Sequence, residues 1–367
     1  MKKVVIAPDS FKGTLSSAEV CDVVSQVLER NYPEAELKAI PVADGGEGTL
    51  EAISYALGGK RVYCKALSPL DRELDTYFLD IDGKRAVIES ALASGITLEE
   101  KKDALRASSY GTGQLIRAAL DSGARDIIIG IGGSAMTDGG AGCLSALGAR
   151  LYGETGEISR PCGGNLADIR EIDLSGFDKR IYEAEITLLC DVKNPLYGEN
   201  GAAYIFAPQK GATEKEVRIL DEGLRSFSDV CKDTLGEDYS LCEGAGAAGG
   251  LGFAVTAFMN AEVKSGIECV LDLCDFKKEV SNADLIITGE GRLDSQSLMG
   301  KVPFGVACRS KGKRIIAVVG TNDASPAEIS QAGISEIIEC NDLHLPFDEI
   351  KHCAKEMLYA AAEKIKL

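Results

Sequence analysis

The stretch VVIAPDSFKGTLSSAEVCDVVSQVL, Val4–Leu28, decides the fold. Val4–Ala7 is a continuous apolar run, the pattern of a strand buried on both faces. Ser16 and Glu19 make a capping box that starts a helix, and Val20, Val23, Val24, Val27 and Leu28 keep helical spacing, so one face packs on a sheet. The connection Pro8–Thr14 therefore leaves the C-terminal end of a strand and enters a helix, where open α/β sheets bind ligands. Leu37–Val42 reads as a second strand, ending at the loop ADGGEGT, Ala43–Thr49.

The same alternation returns near the C-terminus. Leu285–Thr288, Ile315–Val319 and Ile337-Ile338 read as parallel strands, with helices opening at Pro303 and at Ser325-Pro326. Glu328 completes a capping box with Ser325, and Gly333 closes that helix. The middle differs. Asp82-Gly83 joins the runs Thr76–Ile81 and Arg85–Ile88 as an antiparallel hairpin. A helix near Gln114–Leu120, strands at Ile127–Ile131 and Ile186–Leu189, and a helix capped by Thr213 and Glu216 follow. The expected class is α/β: a doubly wound parallel-sheet domain made by both termini (1–60 and 282–367), an inserted mixed α/β domain (61–281), and an active site between them.

Composition limits the chemistry. With 367 residues the chain exceeds the size at which one core keeps growing. A net charge of −17 disfavours nucleic acid and anionic membranes as partners, so an anionic ligand needs a local site of backbone N–H groups, a few cations and a divalent metal. Twelve scattered cysteines without a C-x-x-C, and only two histidines, speak against zinc and for a reducing, cytoplasmic setting. No apolar run reaches membrane-spanning length. A small-molecule substrate is the expected partner, with room for a homo-oligomer.

Glycine and reactive side chains concentrate in two segments, GIGGSAMTDGGAG (Gly130–Gly142) and CDVKNPLYGENGAAYIFAPQKGA (Cys190–Ala212). Gly130-x-Gly132-x-x-Ala135 is a loose dinucleotide fingerprint after a strand, and Gly244-x-Gly246-x-x-Gly249 matches in letters after a poor one. Neither has the acidic residue a Rossmann site needs, and no Walker A loop exists. Phosphate cradling of another kind is the preferred reading, and for the second match plain helix packing through small residues competes with it. Asp191, at a strand end before Lys193 and Asn194, has the placement of a base or magnesium ligand; a turn cap with solvated Lys193 and Lys210 is the bland alternative. In GEGRLDSQSLMGK, Gly289–Lys301, the residues Glu290, Arg292, Asp294, Gln296 and Lys301 are too many polar groups for a plain connection.

APDSFKGTLS, PVADGGEGT, SSYGTGQLI, GIGGSAMTDGGAG, CDVKNPLYGENGAAYIFAPQKGA, GAGAAGGLGF and TGEGRLDSQSLMGK, spread from Ala7 to Lys301, together resemble the type I glycerate kinases. That resemblance implies a flavodoxin-like domain with a mixed α/β insertion. It also implies ATP-dependent phosphorylation of D-glycerate, usually at the 2-hydroxyl, with the 3-hydroxyl as the alternative. Residue roles are then assigned on chemistry. Magnesium-ATP is expected along Gly130, Gly132, Gly133 and Ser134 and at the Gly244 and Gly246 turn; glycerate is expected near Ser10, Lys12, Asp44 and Arg292, with Arg292 and Lys12 for its carboxylate. Asp191 is the expected base and Asp294 the second choice, both also as magnesium ligands, while Lys193 and Lys301 offset phosphoryl charge. The rivals are an NAD-dependent hydroxyacid dehydrogenase, weakened by two histidines confined to the last turns of the chain, and a non-catalytic two-lobed sugar-acid binding protein.

Overall fold

The computed structural model describes residues 2–294 and 301–367. In chain order its strands are β1 Lys3–Pro8, β2 Glu36–Ala39, β3 Lys60–Leu67, β4 Glu73–Asp80, β5 Arg85–Glu89, β6 Asp126–Gly130, β7 Arg150–Gly153, β8 Gly156–Glu157, β9 Glu171–Asp173, β10 Glu185–Leu189, β11 Glu262–Lys264, β12 Leu285–Leu293, β13 Arg314–Asn322 and β14 Glu336–Glu339. The chain divides into two compact units: unit 1 is Met1–Asp44, Gly48–Gly58 and Ser265–Leu367, and unit 2 is Gly45–Glu47 and Gly59–Lys264.

Unit 1 holds a sheet in the order β14-β13-β12-β1-β2, with every neighbouring pair parallel. From β1 the chain moves outward to β2, and from β12 it moves the opposite way to β13 and β14. The order thus reverses between β1 and β12, where a doubly wound sheet opens a crevice at its C-terminal edge. The opening helix, Ser17–Asn31, has the expected capping box, with Glu19 N–H donating to Ser16 Oγ and Ser16 N–H to Glu19. Val20, Val23, Val24, Val27 and Leu28 are all at most 1 % exposed, each burial favouring the fold by roughly 1.5–3 kcal/mol. They pack with Ile6, Ile287, Ile316 and Leu358 in one core.

Two expectations need correction in unit 1. The strand read as Leu37–Val42 is Glu36–Ala39, although Ile40 and Val42 still donate to the Ile6 and Pro8 carbonyls at 2.8 and 3.0 Å. More consequentially, Gly289–Leu293 is not loop. β12 runs on through it, pairing as far as Leu293 with Asn322. Glycine makes this extension feasible: a methyl group at Gly289 would strike the Val318 carbonyl, and one at Gly320 the Gly291 carbonyl. Gln296 lies outside the described residues.

Unit 2 is built on a mixed sheet, β11-β10-β6-β5-β4-β3, parallel from β11 to β5 and antiparallel from β5 to β3, with a small antiparallel sheet β8-β7-β9. The Asp82-Gly83 turn is as read: Asp82 Oδ1 accepts from the Lys84 and Arg85 N–H groups at 3.0 and 2.9 Å, and Gly83 sits at φ +77°. Helix Glu214–Leu235 carries its Thr213–Glu216 box and buries Val217, Leu220, Leu224 and Phe227 as spaced. All twelve cysteines are free thiols. No helix among the described residues is long and apolar enough to cross a membrane.

Candidate functional site

At the C-terminal edge of the unit 1 sheet lies a cavity of about 590 Å³. Its polar lining comes from strand ends: Asp9, Ser10 and Lys12 after β1, Glu290 and Arg292 from β12 with Asp294 just past it, Asp323 after β13, and Lys301, the residue before helix Val302–Arg309. Its apolar lining is Phe11 from the first loop and Leu345, Phe347, Ile350 and Met357 from the C-terminal segment. Five sequence-expected residues, Ser10, Lys12, Arg292, Asp294 and Lys301, therefore line one cavity. Asp44 joins them through Lys12, whose ammonium lies 3.4 Å from its carboxylate.

The first loop is shaped for this. Phe11 and Leu15 exchange backbone hydrogen bonds at 2.8 and 3.0 Å, Thr14 Oγ1 donates to the Phe11 carbonyl at 2.7 Å, and Gly13 turns the chain at φ +81°. Lys12 stands at the tip. A methyl at Gly13 would lie 2.9 Å from Phe347 Cζ, so glycine also lets the aromatic ring close over the loop.

Asp9 is the residue that sequence reasoning missed. It is the first position past β1, the same kind of strand end that singled out Asp191. Only 3 % exposed, it accepts from Ser10 N–H at 2.7 Å. Burial pushes its carboxyl up to about 7, helped by the charge on Asp44 and opposed by Lys12 and Ser10. Burial pulls Lys12 the other way, but the negative charges of Asp44, Asp9 and Glu290 outweigh it and hold the ammonium above its ordinary value. A carboxyl poised near neutrality beside a firmly charged lysine is what general-base chemistry requires. Arg292, meanwhile, carries a partner the sequence did not suggest: its Nε donates to Asp323 at 2.6 Å.

In unit 2, Asp191 and Lys193 follow β10 on an exposed loop, and Lys193 pairs with Glu243 at 2.8 Å. The Gly244 and Gly246 turn packs on the same loop, with Gly246 N–H donating to the Asn194 carbonyl at 2.9 Å. Asp191 and Asp294, expected to share a magnesium ion, fall in different units. The space beside the glycines is largely filled. Methyl groups would meet the Gly45 carbonyl at 2.7 Å from Gly130, Gly46 Cα from Gly132, Cys190 Sγ at 3.0 Å from Gly244, and the Pro195 carbonyl from Gly246. Close backbone packing thus already requires glycine at Gly130, Gly132 and Gly246, while Gly244 is favoured by its φ of +79°. At Gly133, φ +72°, the nearest neighbour would be Ala91 Cβ at an ordinary 3.6 Å.

Two buried ionisable residues order the glycine-rich segments: Asp138 fixes the first segment on itself and on Ser109, and Lys210 ties the second segment to the first. Asp138, fully buried, accepts from Ser109 N–H and Oγ at 2.7 and 2.8 Å and from Gly140 and Gly142 N–H at 3.1 and 3.2 Å. Lys210 is not solvated, as its bland reading had it, but 3 % exposed; its ammonium donates to Ser134 Oγ at 3.1 Å and to the Met136 carbonyl. Burial lowers Lys210 to about 7, against the opposing field of Asp138. The unfolded chain keeps its lysine near 10.5 and so binds the extra proton between pH 7 and 10.5, which makes stability rise with pH across that window. In urea unfolding the native protein is expected to gain stability from pH 7 to 9, by at most about 1.4 kcal/mol per unit, and Lys210→Met to lose that slope; an unchanged slope would remove Lys210 as its source.

The polar lining of the unit 1 cavity supplies carboxylate oxygens, the donors a hard divalent cation takes, and magnesium needs only one or two of them beside phosphate oxygens. Among the described residues no group of three or more His, Cys, Asp or Glu is placed to hold a metal unaided. The donor set therefore fits a magnesium ion that arrives with a phosphate.

Comparison with known proteins agrees with this chemistry along the whole chain. The profile of the Glycerate kinase family matches residues 4–367. A glycerate 2-kinase of Escherichia coli K12 is 45 % identical over 340 residues, covering 91 % of this chain and 89 % of the relative. A glycerate kinase of Bacillus subtilis 168 is 41 % identical, covering 100 % of this chain and 98 % of the relative. The crystal structure of a Salmonella typhimurium LT2 protein provisionally named glycerate kinase 2 superposes with a TM-score of 0.85 at 40 % identity, over 99 % of this chain and 96 % of that one. Both the doubly wound sheet and the motif-bearing loops fall within these matches, and the chain belongs to the glycerate kinase family.

Proposed function

We propose that this chain phosphorylates D-glycerate at its 2-hydroxyl with magnesium-ATP, giving 2-phosphoglycerate and ADP. The observation that carries the reading is the polar lining of the unit 1 cavity, where a carboxyl near neutrality, Asp9, stands beside Lys12, Arg292 and Lys301. The 45 % identity to a relative named glycerate 2-kinase supports the choice of hydroxyl.

Lys12 and Arg292 receive the glycerate carboxylate, and Ser10 hydrogen-bonds a hydroxyl. Asp9 takes the proton of the attacking 2-hydroxyl as the new oxygen–phosphorus bond forms, and Lys301 offsets charge on the transferring group. Asp294 and Glu290 would hold magnesium, which when bound screens the phosphate charge. Asp191, the base expected from sequence, stays as the rival; it lies on an exposed loop. The cytoplasm is the proposed compartment, because free thiols throughout are the state a reducing environment maintains.

A coupled ADP-release assay tests the reading. ADP release is expected with D-glycerate and not with L-glycerate or with NAD and hydroxyacids. Binding of D-glycerate without turnover would favour the sugar-acid binding protein instead.

A further inference from the structure

We propose that the apolar lining of the unit 1 cavity, Phe11, Leu345, Phe347, Ile350 and Met357 with His344 beside it, holds the purine base of the nucleotide. The inference rests on the kinase reading and adds to it the place where the base is recognised.

Size and lining argue for it together. A cavity of about 590 Å³ is of the class that encloses a drug-sized ligand, and a three-carbon acid leaves most of it empty. Glycerate is polar on every carbon and gains nothing from five apolar side chains. A purine gains a great deal, since every base offers a flat apolar face to an aromatic ring.

The wall is also held ready. Asn341 clamps the segment before the last helix: its Nδ2 donates to the Leu345 carbonyl at 3.1 Å and its Oδ1 accepts from Leu345 N–H at 2.8 Å. His344, within that clamp, sits at φ +52°, a left-handed conformation non-glycine residues seldom adopt. Its imidazole makes no hydrogen bond or ion pair to a described residue and lines the cavity. Phe347 is 56 % exposed although apolar, with its ring above Gly13. An exposed ring and an uncommitted imidazole beside one cavity match the two needs of a base, stacking and an edge hydrogen bond. The glycines first expected to cradle the nucleotide, Gly130, Gly132, Gly244 and Gly246, are by contrast packed against backbone or a cysteine sulfur.

The experiment uses the full chain and its Phe347→Ala variant. Loss of one stacking ring is expected to raise the KM for ATP roughly tenfold while the KM for D-glycerate and inhibition by inorganic tripolyphosphate stay within about twofold. An unchanged KM for ATP, or an equal rise for glycerate or tripolyphosphate, would overturn the proposal. Photolabelling of the unsubstituted protein with 8-azido-ATP gives a second reading that does not depend on the variant folding. Label is expected in the peptide Cys340–Met357, and label confined to Gly130–Ser134 or Gly244–Gly249 would contradict it. If the protein labels at Cys340–Met357 but never phosphorylates glycerate, the activity reading fails and the base site stands; phosphorylation with label elsewhere is the reverse.

Discussion

Asp9→Asn is expected to lower kcat by roughly 10²–10⁴, the usual contribution of a positioned general base, with little change in the KM for either substrate. The amide keeps the size and the acceptor for Ser10 N–H but cannot take a proton. In the native enzyme kcat/KM should fall as pH drops below about 7, where Asp9 becomes protonated. Asp191→Asn, on its exposed loop, is expected to retain turnover within about tenfold. The reverse ranking of the two variants would return the base assignment to Asp191. Stability supplies an independent reading. The folded carboxyl titrates above its ordinary 3.8, so between about pH 4 and 7 the native state binds the extra proton and stability falls as pH rises. Asp9→Asn should remove that fall and be the more stable protein at pH 8, even as it loses activity.

Gly289→Ala is expected to be the most damaging single methyl in unit 1. Gly289 lies mid-strand in β12, with β1 on one side and β13 on the other, and a methyl there would overlap the Val318 carbonyl oxygen. Backbone cannot turn aside as a side chain does, so the strands must part, at a cost of roughly 1–3 kcal/mol or more. In a thermal scan that is a loss of about 3–10 °C. The Asp9 N–H donates to the Gly289 carbonyl at 2.8 Å, so separation also displaces the proposed base, and activity should fall further than stability alone explains. Gly312→Ala is the control: φ is +83° but no atom lies within 4 Å of the added methyl. It should cost only about 1–2 kcal/mol of left-handed strain and leave kcat unchanged. Equal effects from the two would mean that conformational strain, not strand approach, governs both.

Much of the fold was legible because its signals are local. Val4–Leu28 holds a buried strand, a capping box and a helical stripe in one continuous run, and each forms as read. The box at Thr213 and Glu216, the turn at Asp82-Gly83 and the box at Ser325 and Glu328 are equally self-contained. The continuation of β12 through Gly289–Leu293 was not legible, because glycine, arginine and glutamate alternate there without an apolar pattern. Their strand character comes from β13, whose residues up to Asn322 are contributed from elsewhere in the chain.

The site was legible where reactive residues cluster in sequence. Ser10, Lys12, Arg292, Asp294 and Lys301 converge on one cavity. Asp9 was overlooked beside Pro8 because burial, which sets its chemistry, is a property of the folded surroundings. Lys210 shows the same limit in reverse: a lysine before a capped helix reads as an anion site or, failing that, as solvated, yet the structure buries it against Ser134 and Met136. The apolar wall at Leu345–Met357 carries no motif, and only the folded cavity distinguishes it from an ordinary amphipathic helix start.

The most direct measurement is phosphorus NMR of the product formed from D-glycerate and ATP. A phosphomonoester resonance coupled to the single C2 proton is expected, appearing as ADP accumulates. Coupling to the C3 methylene would contradict phosphorylation at the 2-hydroxyl, and ADP without any new ester would contradict glycerate as the acceptor.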